Sequence, residues 1–333
     1  MKKHIEVRKY IVTAALLLAT GAWLFAADGP GVEKKKTYSK SYSLSGNEKV
    51  NINNQFGEVK IVTWGKSEVK VDVSITVKSG TDERAQAILD NINIEDSKNG
   101  EGVSFKTIIG KQEWKGDRKN NNNNNSQGME INYEVNMPAT NPLDLQNSFG
   151  KTVVPDMKGP VDISSKFGGL DAGNLADVKK VEVEFGTATI EGITNGEITI
   201  KFSQVQINKM SGAIKTFQSY SGVKLTVDNS VTSLTIKNEF TDLKLDVSSD
   251  LSANFDVYTN FSELKNKTAF NIKEEDEHDR GPKFDHQYSG KSGNASMNFK
   301  VKSNFGDVTI GHNLPFDVND KKEHKEKRKT TSV

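Results

Sequence analysis

The sequence predicts an all-β chain wound as a β-solenoid (β-helix), in coils of about 18–21 residues with an aromatic–small pair at one corner of each. Three observations predict it. First, an aromatic followed by Gly, Ser or Thr recurs at Phe56-Gly57, Phe149-Gly150, Phe167-Gly168, Phe185-Gly186, Phe202-Ser203, Tyr220-Ser221, Phe240-Thr241, Phe261-Ser262 and Phe305-Gly306. From Phe149 to Phe261 the copies stand 18, 18, 17, 18, 20 and 21 residues apart. Second, apolar residues flank these pairs at fixed offsets. They sit six and four before the aromatic, as in Val161/Ile163 and Leu234/Ile236, and three and five after it, as in Val205/Ile207 and Leu243/Leu245. Third, 34% of the 333 residues are apolar and none is cysteine. The low apolar share suits a thin fold with much surface. The missing cysteine excludes disulfides, thiolate metal sites and a cysteine nucleophile. A sandwich or barrel also supplies short, regularly spaced strands, but it does not need the same residue at the same corner of every repeat.

The offsets carry geometry. Positions six before, four before and the aromatic itself share one parity, so strand alternation places the aromatic inward as an interior ladder. On that reading Phe185→Ala opens a core cavity worth about 3–5 kcal/mol. Positions three and five after have the other parity, so the chain must bend between the two runs. The small residue after the aromatic is the expected bend. Asn54, Asn147, Ser165, Asn238, Thr259 and Ser303 stand two before the aromatic with inward parity. They are placed to bond the backbone of the corner. Stacked at about 4.8 Å, eight or nine such coils extend about 40 Å.

The elements follow in order. Lys2, Lys3, Arg8 and Lys9 precede an apolar run, Tyr10 to Ala27, so residues 1–26 read as a signal peptide. The alternative is an uncleaved membrane anchor. Residues 27–41 read as a linker. Residues 42–140 form an N-terminal β region, in which Val69, Val71, Val73, Ile75 and Val77 alternate with polar residues as a half-buried strand. Residues 81–92 read as a short helix covering an end or a side of the stack. Thr81 is its N-cap, and Ala85, Ile88, Leu89 and Ile92 share one face. Residues 119–128, with six consecutive asparagines, read as a flexible loop. Residues 141–314 carry the solenoid repeats. An acidic insertion at 273–293 holds the penultimate coil in irregular form, and residues 315–333 are a disordered basic tail.

The charges balance at 45 basic and 44 acidic residues, which argues against a general nucleic-acid binder. Basic leader and basic tail flank a mildly acidic body. The segment VNINNQFGEVKIVTWGKSEVKVDVSITVKSG, the helix after it and the repeated aromatic–small corners resemble the bacterial putative-adhesin, single-strand β-helix family, over roughly residues 42–312. The resemblance implies a β-helix of the cell envelope with a surface-binding role and no catalytic motif.

No catalytic constellation, cofactor fingerprint or defined metal set is found. Glu274, Glu275, Asp276, Glu277, His278, Asp279, Asp285 and His286 could offer oxygen and imidazole ligands, but their spacing matches no metal site and they read as a solvated loop. Lys224, Lys244 and Lys265, each four after an aromatic, could line up on three neighbouring coils as a strip for an anionic ligand, flanked by Asp242 and Glu263. Trp64 reads as core or cap. The function expected is that of a non-enzymatic exported envelope protein, structural or adhesin-like, located in the periplasm, on the outer surface or outside the cell. Its partner would be an envelope or surface glycan or protein, with membrane contact only through an uncleaved leader. The alternatives are a glycan-acting enzyme on a β-helix and an envelope signalling accessory.

Overall fold

A computed structural model describes residues 31–110, 128–275 and 284–319. The predicted leader, most of the asparagine loop and the basic tail from Asp320 onward lie outside the described residues. The fold is all-β, and Asp82–Asp90 is its one α-helix among the described residues. The strands join in a single sheet that mixes parallel and antiparallel pairs.

Most of the sheet is two parallel ladders, one built from the runs before each corner and one from the runs after it. In the first, Ile52, Leu145, Ile163, Val181, Ile198, Thr216, Ile236, Val301 and Val257 stand in register, each beside the next. In the second, Val59, Thr152, Leu170, Ala188, Val205, Val223, Leu243, Val308 and Leu264 do the same. These are the inward columns the offsets predict. All but Thr216 and Thr152 are apolar, because each residue meets its own equivalents above and below, and nearly all are buried.

The order of stacking departs from the order of the sequence. Met297–Asn304 and Val308–Gly311 lie between Val231–Val247 on one side and Ala253–Asn266 on the other. The segment 273–293 is therefore not an irregular coil within the stack. Asn271–Glu274 and Asp285–Lys291 pair antiparallel, and the second also pairs antiparallel with Ala253–Asn260. This hairpin covers the outer edge of that repeat, which forces the last repeat to enter on its inner side. A covered edge cannot recruit a foreign strand.

The other end is covered too. Val32–Ser43, in the segment expected as a linker, is a strand paired antiparallel with Glu68–Ser79 along its whole length. It carries few apolar residues, so alternation did not mark it; what holds it is the neighbouring strand and its half-buried face of Lys34, Lys36, Tyr38, Lys40 and Tyr42. Gly102–Ile109 and Gly128–Met137 lie beside the Lys49–Gln55 and Val59–Thr63 runs. The helix buries Ala85 and Leu89, Thr81 caps it by accepting from the Arg84 N–H, and it stops at Asn91, so Ile92 opens the strand Ile92–Asn99 instead.

Tyr38 and Tyr42 tie this end together. Both phenols donate to the Asp96 carboxylate on Ile92–Asn99, Tyr38 at 2.6 Å. Burial first, and then the bond to Asp96, push the Tyr42 phenol up to about 12, and the same causes raise Tyr38. A phenol held protonated in the fold stabilises fully below its unfolded value of about 10, and that contribution is lost as pH rises through the folded value. The urea midpoint is expected to fall between about pH 10 and 12. In a Tyr38→Phe/Tyr42→Phe variant the fall should be shallower; equal slopes would show that these phenols do not set alkaline stability.

Candidate functional site: an exposed aromatic ladder

At every aromatic–small corner the backbone of the aromatic residue itself is left-handed, with φ from 48° at Phe261 to 64° at Phe56. Strand alternation holds only while the backbone stays extended. A left-handed residue breaks it, so the side chain expected inside turns out. The ladder is thus on the surface, which corrects the interior placement. Phe149, Phe167, Phe185, Phe202, Tyr220, Phe240, Phe261 and Phe305 are 44–53% exposed. The inward polar residue two positions earlier is the last to follow alternation. Asn54 donates to Ile131 O at 2.9 Å, Asn147 to Gly57 O at 3.1 Å, and Asn238 to Thr241 O at 2.7 Å. These buried amides, and Ser303 through its bond to Gly306 O, pin the corner from inside as their parity implies, whereas the buried hydroxyls of Ser165 and Thr259 make no such bond.

The rings form one continuous stack in the order Phe56, Phe149, Phe167, Phe185, Phe202, Tyr220, Phe240, Phe305, Phe261. Adjacent centroids lie 4.7–5.1 Å apart and adjacent planes within 8° of parallel. Phe284 extends the stack at 4.9 Å and 24°. This spacing is the strand spacing of the sheet, so the backbone imposes it on the rings. Each internal ring has both faces covered by its neighbours and shows solvent its rim.

The small residue after the aromatic has a different role from the one expected. It is not the left-handed position in any corner. It is small because successive corners touch through their backbones. A Cβ built on Gly168 would stand 1.9 Å from Gly150 O, and one on Gly186 2.0 Å from Gly168 O. Where Ser or Thr occurs, the hydroxyl enters the ladder. Ser203 Oγ accepts from Gly186 N at 3.2 Å and donates to Lys201 O at 2.7 Å. Ser221 Oγ accepts from Ser203 N, and Thr241 Oγ1 from Ser221 N, each at 3.1 Å.

Charges border one side of the stack. Glu184 lies 2.8 Å from Lys166 Nζ and 3.4 Å from Lys201 Nζ. The hydrogen bond from Lys166 is the main cause that holds its carboxyl below the usual range. On the other side the positions two after the central rings are Gly169, Thr187, Gln204 and Gly222, a short neutral shelf.

The lysine strip does not assemble as three adjacent rungs. Lys224 pairs in register with Lys244, but Lys244 and Lys265 are separated by Thr309, because the last repeat enters between them. Lys224 Nζ is 2.8 Å from Asp246, with both side chains 14% exposed. Lys265 Nζ is 2.5 Å from Asp307, which raises its pKa, and Lys244 donates to Pro315 O at 3.0 Å. Asp246 pairs with Lys224 and Asp307 with Lys265, and Glu263 and Asp242 act on Lys265 from further away, as their flanking positions predict.

His286 Nδ1 lies 2.7 Å from Glu274 Oε1, while His278 and its acidic neighbours from Asp276 to Asp279 lie outside the described residues. Among the described residues no three His, Asp or Glu side chains gather as a metal site. Trp64 is half-buried beside a shallow cleft lined by Leu44, Pro138 and Asn141, and its indole donates to Glu68 O at 2.8 Å. Sequence reasoning found the ladder residues but misplaced them. The available signal was the aromatic itself, since a bulky core residue rarely needs a small residue directly after it.

No family model matches the chain, and no curated protein matches it. Among solved structures it is similar to one described as a putative cell adhesion protein from Clostridium sporogenes, at 13% identity and a TM-score of 0.25, covering 84% of this chain and 100% of that one. A structure described as a putative adhesin from Bacteroides fragilis is similar at 11% identity and a TM-score of 0.36, covering 83% of this chain and 97% of that one. A third, described as a putative lipid binding protein from Parabacteroides distasonis, is similar at 9% identity and a TM-score of 0.32, covering 82% and 96%. Two of these three are thus described as adhesion proteins and the third as a lipid binding protein. Among the described residues no helix is long and apolar enough to cross a membrane.

Proposed function

We propose that this chain is a non-enzymatic β-solenoid of the cell envelope, exported and adhesin-like, that binds a surface partner along its aromatic ladder. The solenoid reading is supported by two in-register parallel ladders that advance one repeat per strand. The binding reading rests on a single observation: bulky aromatics occupy left-handed corners and face solvent. Such a residue in that backbone costs about 1–3 kcal/mol, whereas Gly or Asn takes it with little or no penalty. Stacking offsets part of that cost at about 0.5–1.5 kcal/mol per pair. A purely structural corner has no need of a phenyl rim in water. The rims together form an apolar strip about 40 Å long, longer and more continuous than scattered surface residues provide.

Asn suits the left-handed corner, so Phe167→Asn, Phe185→Asn and Phe202→Asn together remove rings and leave the backbone unstrained. The variant should melt within a few degrees of the parent protein. Beads coated with the parent should adhere to envelope preparations, and they should bind the apolar dye anilinonaphthalene sulfonate. Both signals should fall at least about tenfold in the variant. Equal adhesion and equal dye binding would remove the ladder from the function.

A further inference from the structure

We propose that the partner of the aromatic ladder is a second copy of this chain, joined ladder to ladder about a two-fold axis. The proposal rests on the ladder being a binding surface and names what it binds. Area comes first. Nine of the ten stacked aromatics are about half exposed and Phe56 is less so, and the eight from Phe56 to Phe305 leave on the order of 800 Å² of surface. That exceeds the roughly 300–600 Å² of the largest apolar patch on a typical monomer, and it matches the roughly 800 Å² each partner gives to a stable interface.

Pitch comes second. The rims repeat at 4.7–5.1 Å because the sheet does. A second copy has that repeat by construction, so contacts stay in phase along the eight rungs from Phe56 to Phe305, and Phe261 and Phe284 overhang.

Charge comes third. Directly before the rings the stack reads Ser148, Lys166, Glu184, Lys201, Ser219, Glu239. Turned end for end about a two-fold between Phe185 and Phe202, this row sets Glu184 of each copy opposite Lys201 of the other. It also sets Lys166 opposite Ser219, and Ser148 opposite Glu239, with no like pair. On the far side the neutral shelf at Gly169, Thr187, Gln204 and Gly222 faces itself, and Lys151 meets Asp242. The like pair there, Glu58 with Asp307, falls at the ends, where Lys265 already neutralises Asp307. The same borders disfavour other occupants. The borders mix both signs, with Lys151, Lys166 and Lys201 among Glu58, Glu184, Glu239, Asp242, Glu263 and Asp307, so they offer no continuous basic strip to an anionic lipid surface, and covered ring faces cannot stack on sugars.

Sedimentation equilibrium of the purified protein tests the proposal, with anilinonaphthalene sulfonate binding read in parallel. The protein should be mainly dimeric at about 50 μM. Phe185→Asn/Phe202→Asn should raise the dissociation constant at least about 100-fold. Glu184→Lys should raise it about tenfold, and Glu184→Lys/Lys201→Glu should restore it. A protein that stays monomeric at this concentration overturns the dimer. If its dye binding still falls in the double-Asn variant, the binding role of the ladder stands without it. A dimer that survives the double-Asn variant also overturns the proposal, and where the parent is monomeric, unchanged dye binding in that variant overturns the binding reading as well.

Discussion

Phe299→Ala is expected to cost about 3–5 kcal/mol, while Phe185→Ala costs about 1–2 kcal/mol. The two residues are the same type in the same repeat architecture, and they differ in which side of the sheet they occupy. Phe299 is fully buried, in register between Leu234 and Phe255, with its ring 5.0 Å from that of Phe255. Truncating it leaves a cavity that neighbouring repeats cannot close, because their spacing is fixed by backbone hydrogen bonds on both sides. Phe185 is 46% exposed and stacks at 4.8 Å on Phe167 and Phe202. Its loss breaks two ring contacts and opens no cavity. Urea unfolding of both variants measures the difference. Similar costs would mean that the ladder, and not the inner columns, holds the stack together.

Gly168→Val is expected to be as damaging, at about 3 kcal/mol or more. The added Cβ would meet Gly150 O at 1.9 Å, and that oxygen belongs to a corner fixed by its own neighbours. Relief requires the corners to separate, which breaks strand pairing in both parallel ladders. The control is Ser203→Gly. It removes the hydroxyl that links Gly186 N to Lys201 O and should cost only about 1 kcal/mol. A lowered urea midpoint at unchanged slope would locate the effect in the folded state. If Gly168→Val unfolded at the parent midpoint, backbone contact between corners would not be what restricts this position.

Much of the fold was legible because it is written in repeating chemistry. The offsets of Val161, Ile163, Leu170 and Ala172 around Phe167 correctly identified inward columns, since an extended backbone alternates without help from the rest of the molecule. Asn147 and Asn238 were legible as corner residues for the same reason. Val32–Ser43 was not, because its pairing with Glu68–Ser79 supplies what its own composition lacks. The lysine strip failed through order: Thr309 stands between Lys244 and Lys265 because a hairpin claims the outer edge of Ala253–Asn260.

The sequence by itself determined the all-β class, the repeat length, the corner positions and which columns are apolar. These follow from local periodicity, which each repeat states independently. Only the tertiary structure decided which way the aromatics face and in what order the last repeats stack. A left-handed φ at Phe185 is held by contacts with the corners above and below, and the place of Met297–Gly311 by the hairpin of Asn271–Glu274 and Asp285–Lys291 that precedes it in the chain. Neither is a property of any single repeat, so neither is readable from one.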